Sequence, residues 1–380
     1  MMEKIKNIKW KHYISYIVIA FVAILFTVLS FSGSLKSSDI YLLEKIAISI
    51  ILTVSLSLVV GFLGELSLGH AGFMCLGAYL GGKTAVLLEP VMGEFPALLV
   101  ALVIGGAVAA LFGVVIGLPA LRLRGDYLAI VTLAFGEIVR SIFTNSSAES
   151  FGGSLGLETP RFDKDYLFII AFALVLICLA ATQNLIRSKH GRAITSIRDN
   201  EIAAKATGIP VTKYKLMVFT ISSFFAGIAG VLYSYSNYTV QSAKFGYNYS
   251  IEILVMVVLG GMGNINGGII AAALITFLDV KLATVLTGNL AVLQDLIYAL
   301  ILIVIVIYNN APALKGFREK YNIKKLLNKF KKPTSIKSHD DEAKWDRVPT
   351  KIQMDEVLSV DVKVASPYDP DKGEEEGHNG

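Results

Sequence analysis

The sequence predicts an all-α polytopic membrane protein with about ten (8–10) transmembrane segments, and three observations carry that expectation. Charged residues make up only 17% of the 380 and hydrophobic ones 54%, where soluble chains carry about 25% charged. The runs 13–31, 46–64, 95–121, 166–186, 216–243 and 253–278 contain no Asp, Glu, Lys or Arg and are long enough to cross a bilayer. Basic residues recur in the connections between runs, the pattern of cytoplasmic loops. In hydrocarbon the backbone must satisfy its own hydrogen bonds, and runs of this length do so as helices. A soluble protein with buried helices would have shorter, more amphipathic runs and a mean hydropathy below the +0.61 found here.

Taken in order, the first run follows Lys4, Lys6, Lys9 and Lys11. A cleaved signal has an apolar core of about 7 to 15 residues; 13–31 is longer, and is read as an uncleaved first span. Arg122 and Arg124 mark the next inner connection, and the loop 187–215 is the most basic, with Arg187, Lys189, Arg192, Arg198, Lys205, Lys213 and Lys215 against Asp199 and Glu201. The segment 149–165 is net acidic and suits the opposite face. Parity then requires 46–64 and the stretch from Leu66 to cross separately, and 253–278 to split. The break falls at "GGMGNINGG", 260–268, where glycine-rich backbone tolerates a turn. Residues 315–332, with eight Lys and Arg, are expected on the anionic inner leaflet. The tail 333–380 is too polar to bury a core and is expected to be disordered. The permease domain is thus 1–314, with both termini cytoplasmic.

"GAYLGGKT", 77–84, fits the G-x-x-x-x-G-K-[ST] phosphate loop. Such a loop must follow a strand, open a helix and face water; this one ends the apolar stretch "LSLGHAGFMCLGAYLGG". Lys83 is read as an interfacial residue whose stem snorkels, and no nucleotide site is assigned. Cys75 and Cys178 lie in apolar runs and imply neither a disulfide framework nor a metal site. His70 has no Cys or His partner nearby, so no metal is expected on it.

Four stretches carry a resemblance: "GFLGELSLGHAGFMCLGAYLG" (61–81), "LRLRGDYLAIVTLAFGEIVR" (121–140), "GRAITSIRDNEIAAKATGIPVTKYKLMVFTISSFFAGIAGVLYS" (191–234) and "SIEILVMVVLGGMGNINGGIIAAAL" (250–274). Together they resemble the permease subunits of branched-chain amino-acid ABC importers, M-type, from about residue 45 to 310. The resemblance implies a type II importer fold and a place in the cell membrane. It implies that no cofactor is bound directly and that ATP is used by separate cytoplasmic ATPase subunits. The other implied partners are a second homologous permease, an extracytoplasmic binding protein and a small amino-acid substrate, with no nucleic acid. Related permeases carry urea or short amides, and that substrate stays open. An ion-coupled secondary transporter would leave the small-residue loop 187–215 without a purpose. A membrane enzyme would need clustered catalytic groups at one depth, and none is found.

In "NEIAAKATGI", 200–209, Asn200 is read as an N-cap and Gly208 as a C-terminal stop. Ile202, Ala203, Ala206 and Ile209 fall on one face. The segment resembles the E-A-A…G coupling loop of ABC permeases, with Glu201, Ala203, Ala204 and Gly208 in matching roles. Arg192 and Arg198 are expected to pair with carboxylates of the ATPase. Ionisable residues within spans cost about 2.5–3.5 kcal/mol each on insertion scales. Glu65, His70 and Glu137, with Ser67, are therefore read as lining a translocation path, or alternatively as locking helices together. Glu65 departs from the uncharged amide common in the family. The spacings Gly61/Gly64, Gly69/Gly72, Gly113/Gly117 and Gly227/Gly230 permit close helix approach.

Overall fold

A computed structural model describes residues 14–31, 36–123, 125–160, 164–285, 299–300 and 303. The basic segment 315–332 and the tail 333–380 lie outside the described residues. The uncharged runs form helices, as their composition requires. They are α1 (Ile14–Phe31), α2 (Ser37–Leu63), α3 (His70–Met92), α4 (Glu94–Ala120), α5 (Asp126–Thr144) and α6 (Lys164–Arg187). The basic loop holds two short helices, α7 (Lys189–Asp199) and α8 (Glu201–Ala206). Then come α9 (Val211–Ser236), α10 (Tyr247–Gly260) and α11 (Ile265–Val285). Seven of the described helices (α2 to α6, α9 and α11) are long and apolar enough to span a bilayer, and α10 is a shorter apolar helix. The chain is an all-α polytopic membrane protein; its one sheet among the described residues pairs Leu157 with Val240 and Glu158 with Thr239.

The separate crossings expected for 46–64 and the stretch after Leu66 are α2 and α3. The split expected in 253–278 is the turn between α10 and α11. Asn264 caps α11 there: its Oδ1 accepts from the Gly267 N–H at 3.3 Å. One boundary differs from expectation. α2 begins at Ser37, taking Asp39, Glu44 and Lys45 into the helix, because those charges find partners within the fold. At the start of α5, the N-cap position belongs to Gly125, with no side-chain cap.

Helix α2 forms the centre, its apolar window 94% buried, flanked by α6, α9, α10 and α11. α4 and α11 are outer helices, with 33% and 28% of theirs buried, and Leu99, Val103, Leu111 and Val115 face outward from α4. α9 packs along α4 and against α3. Gly230 makes that approach possible, since a Cβ there would collide with the Met74 carbonyl of α3. The two ends of the bundle are tied by polar contacts. At one, Lys281 meets Asp39 (3.3 Å) and Tyr41 donates to Asn237 (3.2 Å). At the other, residues of the loop 187–215 meet the corner 61–65 between α2 and α3.

"GAYLGGKT" is helical throughout: Gly77–Gly81 is a π-turn and Gly82 continues the helix. Its N–H groups therefore serve helix bonds rather than a phosphate cradle. Lys83 Nζ lies 3.5 Å from the Glu149 carbonyl at the exposed end opposite the basic loop. Lys83→Ala is expected to change transport by less than about threefold, within the worth of one exposed hydrogen bond. Uptake assays check this, and a near-complete loss would reinstate a phosphate role for the lysine.

Candidate functional site

The basic loop folds onto the corner where α2 ends and the chain turns toward α3. α2 finishes in a π-turn, Leu58–Leu63, closed by Gly64 at φ +79°. Gly64 matters because the Arg198 side chain crosses it: a Cβ at Gly64 would stand 2.6 Å from Arg198 Cγ. Arg198 Nη1 donates to the Gly61 carbonyl at 3.1 Å, one of the carbonyls the π-turn leaves open. Its Nε and Nη2 reach Asp199 Oδ1 at 3.2 and 3.1 Å. The Arg198 guanidinium is thus held against this chain on one side while its side chain stays 39% exposed. Arg192 is exposed on α7.

Beside it lies a buried charge cluster that joins two residues assigned to different roles. Lys215 Nζ on α9 donates to Glu65 Oε1 at 2.5 Å and to Glu201 Oε2 at 3.2 Å. The Lys215 side chain is 4% exposed, that of Glu65 12% and of Glu201 30%. One ammonium between two carboxylates connects α8, α9 and the α2–α3 corner. Glu65 therefore sits at the end of the bundle that carries the basic loop 187–215. Sequence reading counted Lys215 only as a loop charge; its place in the second turn of an apolar helix was the available signal.

Local chemistry builds α8 as expected. Asn200 Oδ1 accepts from the Ala203 N–H at 3.0 Å, and Gly208, at φ +84°, ends the segment. Ile202 is 73% exposed, and Ala203 and Ala206 are exposed beside it. Ala204 points the other way and is buried at 3%, so it serves packing within the chain rather than the outer face. A charged loop thus presents a small apolar face outward, on a helix bonded inward through Glu201.

The remaining expected path residues fall in separate places. Ser67 is buried in the corner and His70 opens α3. Next to Ser67, the Leu68 N–H donates to Thr132 Oγ1 at 3.0 Å. His70 Nε2 lies 2.8 Å from Ser55 Oγ. Ser55 Oγ also lies 3.0 Å from the Leu52 carbonyl. Glu137 Oε1 accepts from the Tyr247 N–H at the start of α10 (2.9 Å), and Oε2 takes Arg140 Nε (2.8 Å). No hydrogen bond or ion pair joins any two of Glu65, Ser67, His70 and Glu137. Among the described residues no group of His, Cys, Asp and Glu is placed to hold a metal ion. A second charged region went unread: Glu44 accepts from Ser236 Oγ (2.5 Å), and Lys45 Nζ stands 3.9 Å from the Tyr233 ring centroid. Both residues lie just before the run 46–64, where a search for uncharged spans stops short.

Comparisons with known proteins agree with this architecture. The family described as branched-chain amino acid transport system / permease component matches residues 40–306. The chain is 36% identical over 259 residues to the high-affinity branched-chain amino acid transport system permease protein LivM of Salmonella typhimurium, covering 60% of each chain. It is 35% identical over the same length to LivM of Escherichia coli, again covering 60% of each. To the ribose import permease protein RbsC of E. coli it is 26% identical over 253 residues, covering 63% of this chain and 68% of that one. The chain thus spans about 60% of the length of the LivM relatives it matches. No solved structure matches it significantly.

Proposed function

Because the chain belongs to the family of branched-chain amino acid transport permease components, we propose that it is the membrane-spanning permease subunit of an ATP-binding-cassette importer. Its substrate is a branched-chain amino acid delivered by an extracytoplasmic binding protein. Two cytoplasmic ATPase subunits drive it, and a second, homologous permease completes the pore. The observation that carries this reading is the cluster Glu65–Lys215–Glu201. It fastens the outward-facing helix α8 to the corner between two spanning helices. A force applied to the Ile202–Ala203–Ala206 face passes through that cluster and the Arg198–Gly61 bond to α2, α3 and α9. The ATPases would supply the hydrolysis; this chain supplies the levers. Uptake into vesicles containing this chain and its partner permease, with and without ATPase subunits and ATP, tests the reading. Uptake by the permeases alone, driven by an ion gradient, would replace it with a secondary transporter.

The coupling end is assigned to the cytoplasm, following the charge of the loop 187–215. Asn264 is exposed and shares a cavity of about 250 Å³ with Gln183 and Arg187 at that end; Thr284 is exposed near the other end of α11. Asn264→Cys is therefore expected to be shielded from an impermeant thiol reagent added outside, and Thr284→Cys to react with it. Cys75 and Cys178 are buried and give little background. Loss of the Asn264 cap costs about 1 kcal/mol, too little to unfold the hairpin. Reaction of Asn264→Cys from outside would invert the assignment.

A further inference from the structure

At the end of the bundle away from the coupling loop, helices α2, α9, α10 and α11 enclose a cavity of about 810 Å³. Its size falls within the range of small-molecule sites, roughly 300–1,000 Å³. Its walls carry both signs of charge: Lys45 on α2, Lys244 ahead of α10, Glu252 on α10, and Asp279 and Lys281 on α11. Tyr233 and Tyr249 add aromatic surface, and Lys45 is held over the Tyr233 ring at 3.9 Å and near Tyr41 at 5.2 Å. That seat fixes the ammonium by its attraction to the ring faces while its N–H donors remain usable.

A second observation points into the same space. Thr276 is only 6% exposed, lines the cavity, and its hydroxyl has no hydrogen-bond partner among the described residues. Threonine in a helix ordinarily returns its hydroxyl to a carbonyl one turn back, as Thr220 does to Leu216. A buried hydroxyl left open is costly unless something polar meets it.

Charges of both signs around an aromatic floor match a zwitterion with an apolar side chain better than a neutral or singly charged solute. We propose that this cavity receives a free α-amino acid: its carboxylate on Lys45 and the Thr276 hydroxyl, its ammonium on Asp279 and Glu252, its side chain against the tyrosine rings. The inference rests on the permease reading and deepens it, because it makes this subunit itself selective for zwitterions over urea or a short amide.

The test uses the full chain in membrane vesicles and in cells carrying the whole transporter. Thr284→Cys places a thiol in the cavity wall, with Cys75 and Cys178 buried. L-leucine is expected to slow its labelling by an impermeant thiol reagent at least about threefold, and urea or leucinamide to have little effect. Lys45→Met added to this background is expected to raise the leucine concentration needed for protection about tenfold, the worth of one charge-assisted hydrogen bond. Lys45→Arg should keep protection and Asp279→Asn should lose it. These two variants carry the test if Lys45→Met does not insert. Protection that survives both Lys45→Met and Asp279→Asn, or that urea gives as well as leucine, overturns the proposal. Absence of ATP-driven uptake by the unmodified transporter, with leucine protection intact, would instead remove the permease reading and leave the cavity a leucine site.

Discussion

Replacing Ala203 by arginine is expected to abolish ATP-driven uptake while the protein still inserts and folds. The residue is exposed on α8, so the folded chain alone accommodates the longer side chain. An ATPase subunit seated on the Ile202–Ala203–Ala206 face would have to bury the new charge without a partner. Leaving a charge uncompensated in a buried contact costs about 3 kcal/mol or more, upwards of a hundredfold in affinity. Gly208→Asp should act in the same direction through the backbone, since Gly208 stands at φ +84°, where side chains are strained, although nothing lies within 4 Å of a Cβ there. Membrane yield, thermal stability in detergent and ATP-dependent uptake are the measurements. Full uptake by both variants would place the docking surface elsewhere, and loss of folded protein would mark α8 as structural.

The parts legible in the sequence were those set by local rules. Uncharged runs became spans because hydrocarbon admits little else. The split at 260–268 was visible because the charge parity of the loops demanded a break and glycine-rich backbone tolerates a turn. Asn200 and Gly208 were readable as the limits of α8, since a cap depends on residues three or four positions away. What escaped depends on distant partners. Glu65 meets Lys215 across 150 positions, and no periodicity announces such a pair. Its charge alone left open a polar path or a lock between helices; the structure shows the ion pair to Lys215 that joins the α2–α3 corner to α9. The orientation of Arg198 likewise depends on a distant residue, Gly64, which lacks the side chain that would block it. Lys45 and Glu44 were missed for a different reason. Their charges end the uncharged run, yet the helix continues through them because Ser236 and the Tyr233 ring accept them inside the fold.

Lys215→Met is expected to have the largest effect on both stability and transport. The substitution keeps the length and volume of the side chain but removes the ammonium that two carboxylates share. Glu201 is 30% exposed and can turn toward water, so its share of the loss is small. Glu65, at 12%, cannot do so without opening the corner. Breaking a buried pair by removing one member costs about 3–5 kcal/mol, and the partial exposure here brings the expectation to about 2–4 kcal/mol on the same scale. A thermal midpoint measured in detergent should fall accordingly. The double variant Lys215→Met, Glu65→Met separates structure from coupling. Replacing both members of a buried pair by apolar groups of similar volume is often neutral for stability, so the midpoint should return toward that of the unmodified chain. Uptake should not return, because α8 would no longer be bonded to the corner between α2 and α3, and ATP would be hydrolysed with little substrate moved. A double variant that recovers both stability and uptake would reduce the cluster to packing, and transmission would then have to run through Arg198 and the Gly61 carbonyl.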